Sequence, residues 1–129
     1  MRADAVRMAV RILQIWGIIL GYADASFADI KPERLSSMGY VVIINNGAVS
    51  WRSTRTPLVT RSAAESEIIA LSAATQETVY LRKLANELGF TQTSLTTLYE
   101  DCTAAVALSK ENHLPQPVQA YRPSMVLRL

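Results

Sequence analysis

The run Gly21-Tyr22-Ala23-Asp24-Ala25-Ser26 sets one acid at the end of an apolar segment, and the other acidic motifs must be placed relative to it. From Trp16 to Tyr22, β-branched and aromatic residues flanked by glycines predict a buried strand, with Asp24 at its carboxyl end. Two later stretches, Ser62-Ala63-Ala64-Glu65-Ser66-Glu67 and Leu98-Tyr99-Glu100-Asp101, are placed to meet that acid. The expectation is that the three stretches form one metal-binding cluster.

Ahead of this strand, Val6, Val10 and Leu13 stand at helical spacing with arginines between them, which predicts a short amphipathic helix over Ala5 to Leu13. Behind it, Lys31-Pro32-Glu33-Arg34 breaks the pattern and Tyr40 to Ile44 reads as a second strand. Asn45-Asn46-Gly47 offers residues that tolerate positive φ in a tight hairpin, and Ala48 to Arg52 returns as a third strand with Trp51 expected to pack.

Ser62-x-x-Glu65 is a capping box that starts the main helix, and it commits Glu65 to local structure. Glu67, two positions on, points about 200° round the helix from Glu65, so the two carboxylates face different surfaces. It heads an apolar stripe with Ala70, Ala74 and Leu81. A carboxylate there needs a partner, and a cation is the simplest; the plain alternative is a solvated acid that favours the helix dipole. The helix continues to Leu88 and Gly89 ends it.

Thr96 to Tyr99 is a short strand ending in Asp101, and a second helix starts over Ala104 to Leu108. A strand, helix, strand unit makes a parallel crossover, which would set Asp101 beside Asp24 if the strand at Leu98 pairs with the one at Ile19. Asp101 could instead simply begin the following helix. The predicted fold class is therefore α/β, a mixed sheet with three antiparallel strands and a parallel fourth, backed by the helix from Ser62 to Leu88.

The 129 residues suit one domain, and half of them are apolar, which excludes a disordered chain. One cysteine, Cys102, excludes an internal disulfide, and with a single histidine there is no zinc constellation; a reduced, intracellular setting fits. The net charge of +2 does not by itself indicate nucleic acid, although Arg52, Arg55 and Arg61 fall in one segment, either as a solvated loop or as a phosphate-contacting edge. Ile12 to Tyr22 is shorter than the roughly 20 apolar residues a bilayer requires. Arginines ahead of it and Ala23-Asp24-Ala25 behind it imitate a secretory signal, but Asp4 and Gln14 spoil the pattern.

The strings Gly21-Tyr22-Ala23-Asp24-Ala25, Arg34-Leu35-Ser36-Ser37-Met38-Gly39-Tyr40, Ala48-Val49-Ser50-Trp51, Glu65-Ser66-Glu67-Ile68-Ile69-Ala70-Leu71 and Tyr99-Glu100-Asp101 resemble, in order, the ribonuclease H domain of copia-type retrotransposon polyproteins. The resemblance runs from about Gly21 to His113 and implies a ribonuclease H-like domain over residues 16–113. Residues 1–15 resemble, weakly, the end of the helix connecting it to the reverse transcriptase. The family cuts the RNA strand of RNA/DNA hybrids with two divalent ions, Mg²⁺ or Mn²⁺, and by motif Asp24, Glu67 and Asp101 fall on three of its four metal-binding carboxylates.

Two departures stand out. Cys102 replaces the asparagine usual after the third acid. Beyond His113, a residue that could match a histidine aiding product release but reads more simply as an exposed loop residue, the family's fourth carboxylate and final helix are missing. Residues 114–129 are irregular instead. Gln116 to Leu127 can be encoded so that reading one base later yields Asn-Arg-Ser-Lys-His-Ile-Asp-His-Arg-Trp-Tyr, which restores the family's ending, so a frameshift near Leu114 is expected. The resemblance thus implies an impaired nuclease, or alternatively an inactive nucleic-acid-binding remnant, with RNA/DNA hybrid and a reverse transcriptase domain as partners. The implied location is intracellular, cytoplasmic or in virus-like particles, and not secreted or membrane-bound.

Overall fold

The computed structural model describes residues 18–111 and 126–128. Its elements are β1 (Ile19–Ile30), β2 (Leu35–Ile44), β3 (Gly47–Arg55), α1 (Ala63–Glu87), β4 (Thr97–Tyr99), α2 (Thr103–Glu111) and β5 (Val126–Arg128). They form one five-stranded sheet in the order β3-β2-β1-β4-β5. Strands β1 to β3 are antiparallel neighbours, β4 lies parallel to β1, and β5 runs antiparallel to β4. The mixed sheet with a parallel fourth strand is as expected; β5, in the tail read as irregular, was not foreseen. The expected N-terminal helix, His113 and the rest of the tail lie outside the described residues.

Local chemistry explains the frame. Ile44 pairs with Gly47 across a two-residue turn in which Asn45 (φ 52°) and Asn46 (φ 63°) are both left-handed, the geometry that matches strand twist. Helix α1 starts at Ser62, whose Oγ accepts the Glu65 N–H. It stops where Gly89 takes φ 89°, with the Phe90 N–H reaching the Ala85 carbonyl and the Gly89 N–H the Asn86 carbonyl.

One face of the sheet is covered by α1. Alternation directs Ile19, Gly21, Ala23 and Ala25 of β1 and Met38, Tyr40, Val42 and Ile44 of β2 toward it. Ala70 and Ala74 of α1 are buried against Ala23 and Leu98, so small residues on both layers let helix and sheet approach closely. Leu98 and Val42 are fully buried, each contributing about 1.5–3 kcal/mol by removal from water. A Cβ on Gly21 would stand 2.2 Å from Leu98 Cδ2, so glycine here is what admits β4.

Three expectations are corrected. Asp24 does not end its strand: β1 runs on to Ile30, because its pairing with β2 continues through Ser26 with Ser37 and, past an irregularity, Ile30 with Leu35, while Tyr22, Asp24 and Ser26 face away from the helix. Nor is β1 buried on both sides, and Trp51 does not pack. It is 70% exposed, since it points from the edge strand β3 to the face that carries no helix among the described residues, in one cross-strand row with Val41, Tyr22 and Tyr99. The rings of Tyr22 and Tyr99 stack there with centroids 4.7 Å apart.

Candidate metal centre

The parallel pairing of β1 with β4 puts Gly21 beside Leu98 and Tyr22 beside Tyr99, where β4 ends. Two residues further along each chain come Asp24 and Asp101. Past Tyr99 the flank of β1 has lost its β4 neighbour, and Glu67 reaches that flank from the first turns of α1: its carboxylate accepts the Ala25 backbone N–H.

The helix start fixes which glutamate arrives. Glu65 is exposed and its Oε2 accepts the Arg61 N–H (2.6 Å), one residue ahead of the cap. Glu67, round the other side, is only 7% exposed. One carboxylate oxygen from each of Asp24, Glu67 and Asp101 lies within 4.8 Å of the others, with both aspartates exposed and Glu67 buried. The acids that the motif resemblance singled out are thus brought together by the fold.

Three carboxylates this close repel one another. The Glu67 carboxyl is held above its ordinary range, first by burial and then by the charges of Asp24 and Asp101; the Ala25 N–H and contact with Glu100 pull the other way. Its Oε2 is buried without a hydrogen-bond partner among the described residues. A buried acceptor facing like charges lacks a positive counterpart. An all-oxygen donor set of this kind suits a hard divalent cation such as Mg²⁺ or Mn²⁺.

A fourth acid, unassigned by sequence, joins this centre. Glu100 is 3% exposed, and burial together with the charges of Glu67 and Asp101 pushes its carboxyl up to about 8, although the Cys102 and Asp101 N–H groups oppose this. Alternation from buried Leu98 was the available signal: position 100 returns to the inner side. Cys102 is half-buried and takes part through its backbone, its N–H donating to Glu100.

The three arginines do not form one surface. All are exposed, but Arg52 pairs with Tyr40 on the helix-covered side of β3, and Arg55, three residues on, leaves the opposite face. Arg61 precedes the α1 cap. A cleft of about 440 Å³ at the other end of β4, lined by Ile18, Leu95, Thr96 and neighbours, carries no ionisable side chain. No helix among the described residues is long and apolar enough to cross a membrane.

No family model matches the chain. It is 36% identical over 95 residues to the retrovirus-related Pol polyprotein from transposon TNT 1-94 of Nicotiana tabacum, covering 74% of this chain and 7% of that one. It is 46% identical over 63 residues to secreted RxLR effector protein 161 of Plasmopara viticola, covering 49% of this chain and 44% of that one. The chain therefore spans under half the length of either relative. Among solved structures, LC11-RNase H1 in complex with RNA/DNA hybrid superposes with a TM-score of 0.51 at 15% identity, covering 77% of this chain and 66% of that one.

Proposed function

Since the chain is a ribonuclease H-like domain related to transposon Pol polyproteins, we propose that it acts on the RNA strand of RNA/DNA hybrids as a hydrolase of the copia type. The observation that carries this reading is the convergence of Asp24, Glu67 and Asp101 within 4.8 Å, one of them buried with an oxygen that has no partner among the described residues. When bound, a pair of Mg²⁺ or Mn²⁺ ions supplies an activated water and neutralises the leaving oxygen of the cut phosphodiester.

The chain's own residues supply position. Glu67, anchored by the Ala25 N–H, forms the recessed wall of the centre. Asp24 and Asp101, exposed at its mouth, would hold ions where a phosphate can reach them. Arg61, Arg52 and Arg55 are the candidate contacts to the nucleic-acid backbone; because Arg52 and Arg55 leave opposite faces of β3, a single duplex would engage only one of them beside Arg61. The same reading makes a reverse transcriptase domain of the same polyprotein a partner, and places the chain inside the cell, in cytoplasm or virus-like particles.

A second reading follows from the tail, where the sequence after His113 departs from the family's ending and its fourth carboxylate. On that reading the domain binds hybrid without cutting it. Labelled hybrid incubated with protein and Mg²⁺ decides between them. Cleavage of the RNA strand that Asp24→Asn abolishes supports the nuclease, and salt-sensitive binding without cleavage supports the remnant.

A further inference from the structure

Glu100 stands outside the trio whose oxygens converge, yet it is buried more deeply than any of them. It follows the last residue of β4 and folds back over the chain's exit from the sheet: its Oε1 accepts the N–H of Asp101 (3.1 Å) and of Cys102 (3.2 Å). That grip fixes the peptide carrying the Asp101 side chain. Its other oxygen, Oε2, is buried with no hydrogen-bond partner among the described residues, and the side chain lies against Glu67, whose Oε2 is in the same condition.

A purely structural role would be met better by glutamine. An amide oxygen could accept the same two N–H groups, and the amide nitrogen would donate to the orphaned oxygen of Glu67. When both carboxyls are ionised, the two face each other as acceptors without a donor, a costly arrangement for buried oxygens. Hard divalent cations bring donors with them, because Mg²⁺ gives up its hydration waters reluctantly.

We propose that Glu100 is a positioning residue of the metal centre, setting Asp101 through the backbone while its free oxygen accepts a hydrogen bond from a water of the cation's hydration shell. This rests on the metal-dependent reading of the three-acid cluster. Partners that orient the groups around a metal typically change its affinity by about 10- to 100-fold when removed.

Calorimetric titration of the whole chain with Mn²⁺, alongside thermal melts in chelator, tests it for wild type, Glu100→Gln and Asp24→Asn. The expected result is that Glu100→Gln melts at or above the wild-type temperature without metal, yet binds Mn²⁺ about 10- to 100-fold more weakly. If Glu100→Gln binds Mn²⁺ as tightly as wild type while Asp24→Asn does not bind, Glu100 has no role toward the cation and the inference is overturned, with the cluster reading intact. A Glu100→Gln chain that loses thermal stability would also overturn it, by making the carboxylate structural. If wild type binds no Mn²⁺, the cluster reading fails and this inference with it.

Discussion

Two groups of buried polar side chains lie at either approach to α1, and they are built on opposite principles. At the start of β2, Ser36, Thr56 and Thr60 are almost wholly buried, and each hydroxyl is engaged. Ser36 Oγ accepts the Ala28 N–H (3.0 Å) and pairs with Thr60 Oγ1 (2.9 Å). Thr56 Oγ1 accepts the Ser36 N–H (3.2 Å) and donates to the Leu58 carbonyl (2.9 Å). At the carboxyl end of β4, Glu67 and Glu100 are also buried, yet each keeps an oxygen with no partner among the described residues. Neutral hydroxyls that satisfy one another fasten a loop, whereas two carboxyls that cannot satisfy one another once ionised call for a proton or a cation. The contrast separates architecture from chemistry without reference to any relative.

The sharpest break in that comparison comes from Asp24→Asn. Removing a carboxylate from the acidic group should lower RNA-strand cleavage more than about 100-fold, beyond the effect of removing an orienting partner, while the metal-free fold melts no earlier. A gel assay and a melt on the same sample check both parts.

The next effect is on pH dependence. With metal chelated, the raised carboxyls of Glu100 and Glu67 favour the protonated fold. That contribution is complete below about pH 4.5, the ordinary glutamate value, and is lost as pH rises through about 8 for Glu100. Urea unfolding in EDTA should therefore show stability falling between pH 5 and pH 8, by up to a few kcal/mol, and saturating Mg²⁺ should reverse the trend. The hydroxyl group has nothing to titrate, so a rise in stability over this range would undo the distinction.

Ser36→Ala acts on the other side of the comparison. It leaves the Ala28 N–H and the Thr60 hydroxyl without their partner, at a cost of about 1–3 kcal/mol, and should lower the urea midpoint without changing Mn²⁺ affinity of the folded protein. The smallest effect is expected at the exposed cations: Arg61→Ala should reduce the salt slope of hybrid binding by about 1 with little change in stability, as measured by fluorescence anisotropy across a salt series.

Much of this was legible in the chain because it was local. Asn45-Asn46 sets its hairpin with two left-handed residues, and Ser62 with Glu65 fixes the rotation of α1, which agrees with the motif resemblance in setting Glu67 apart from Glu65. The alanines at positions 70 and 74 announced a close helix-to-sheet approach. What escaped depends on distant partners. β1 continues past Asp24 because β2 keeps pairing with it as far as Ile30, a partner invisible in the polar run that follows. Trp51 was expected to pack, but its side of the sheet has no helix over it among the described residues. Arg52 and Arg55 look like neighbours in sequence and are parted by strand alternation. Glu100 is masked in sequence by the more obvious Asp101 beside it, although inward alternation from Leu98 marks it.

The central claim is that the acidic group is completed by a divalent cation, and a Mg²⁺ titration of thermal stability at neutral pH tests it most directly. Ligand binding to the folded state should raise the melting temperature steadily with the logarithm of Mg²⁺ concentration, reaching about 2.7 kcal/mol of added stability at a hundred times the dissociation constant, and Asp24→Asn should abolish the rise. A melting temperature indifferent to Mg²⁺, or one that rises equally in Asp24→Asn, would contradict the account.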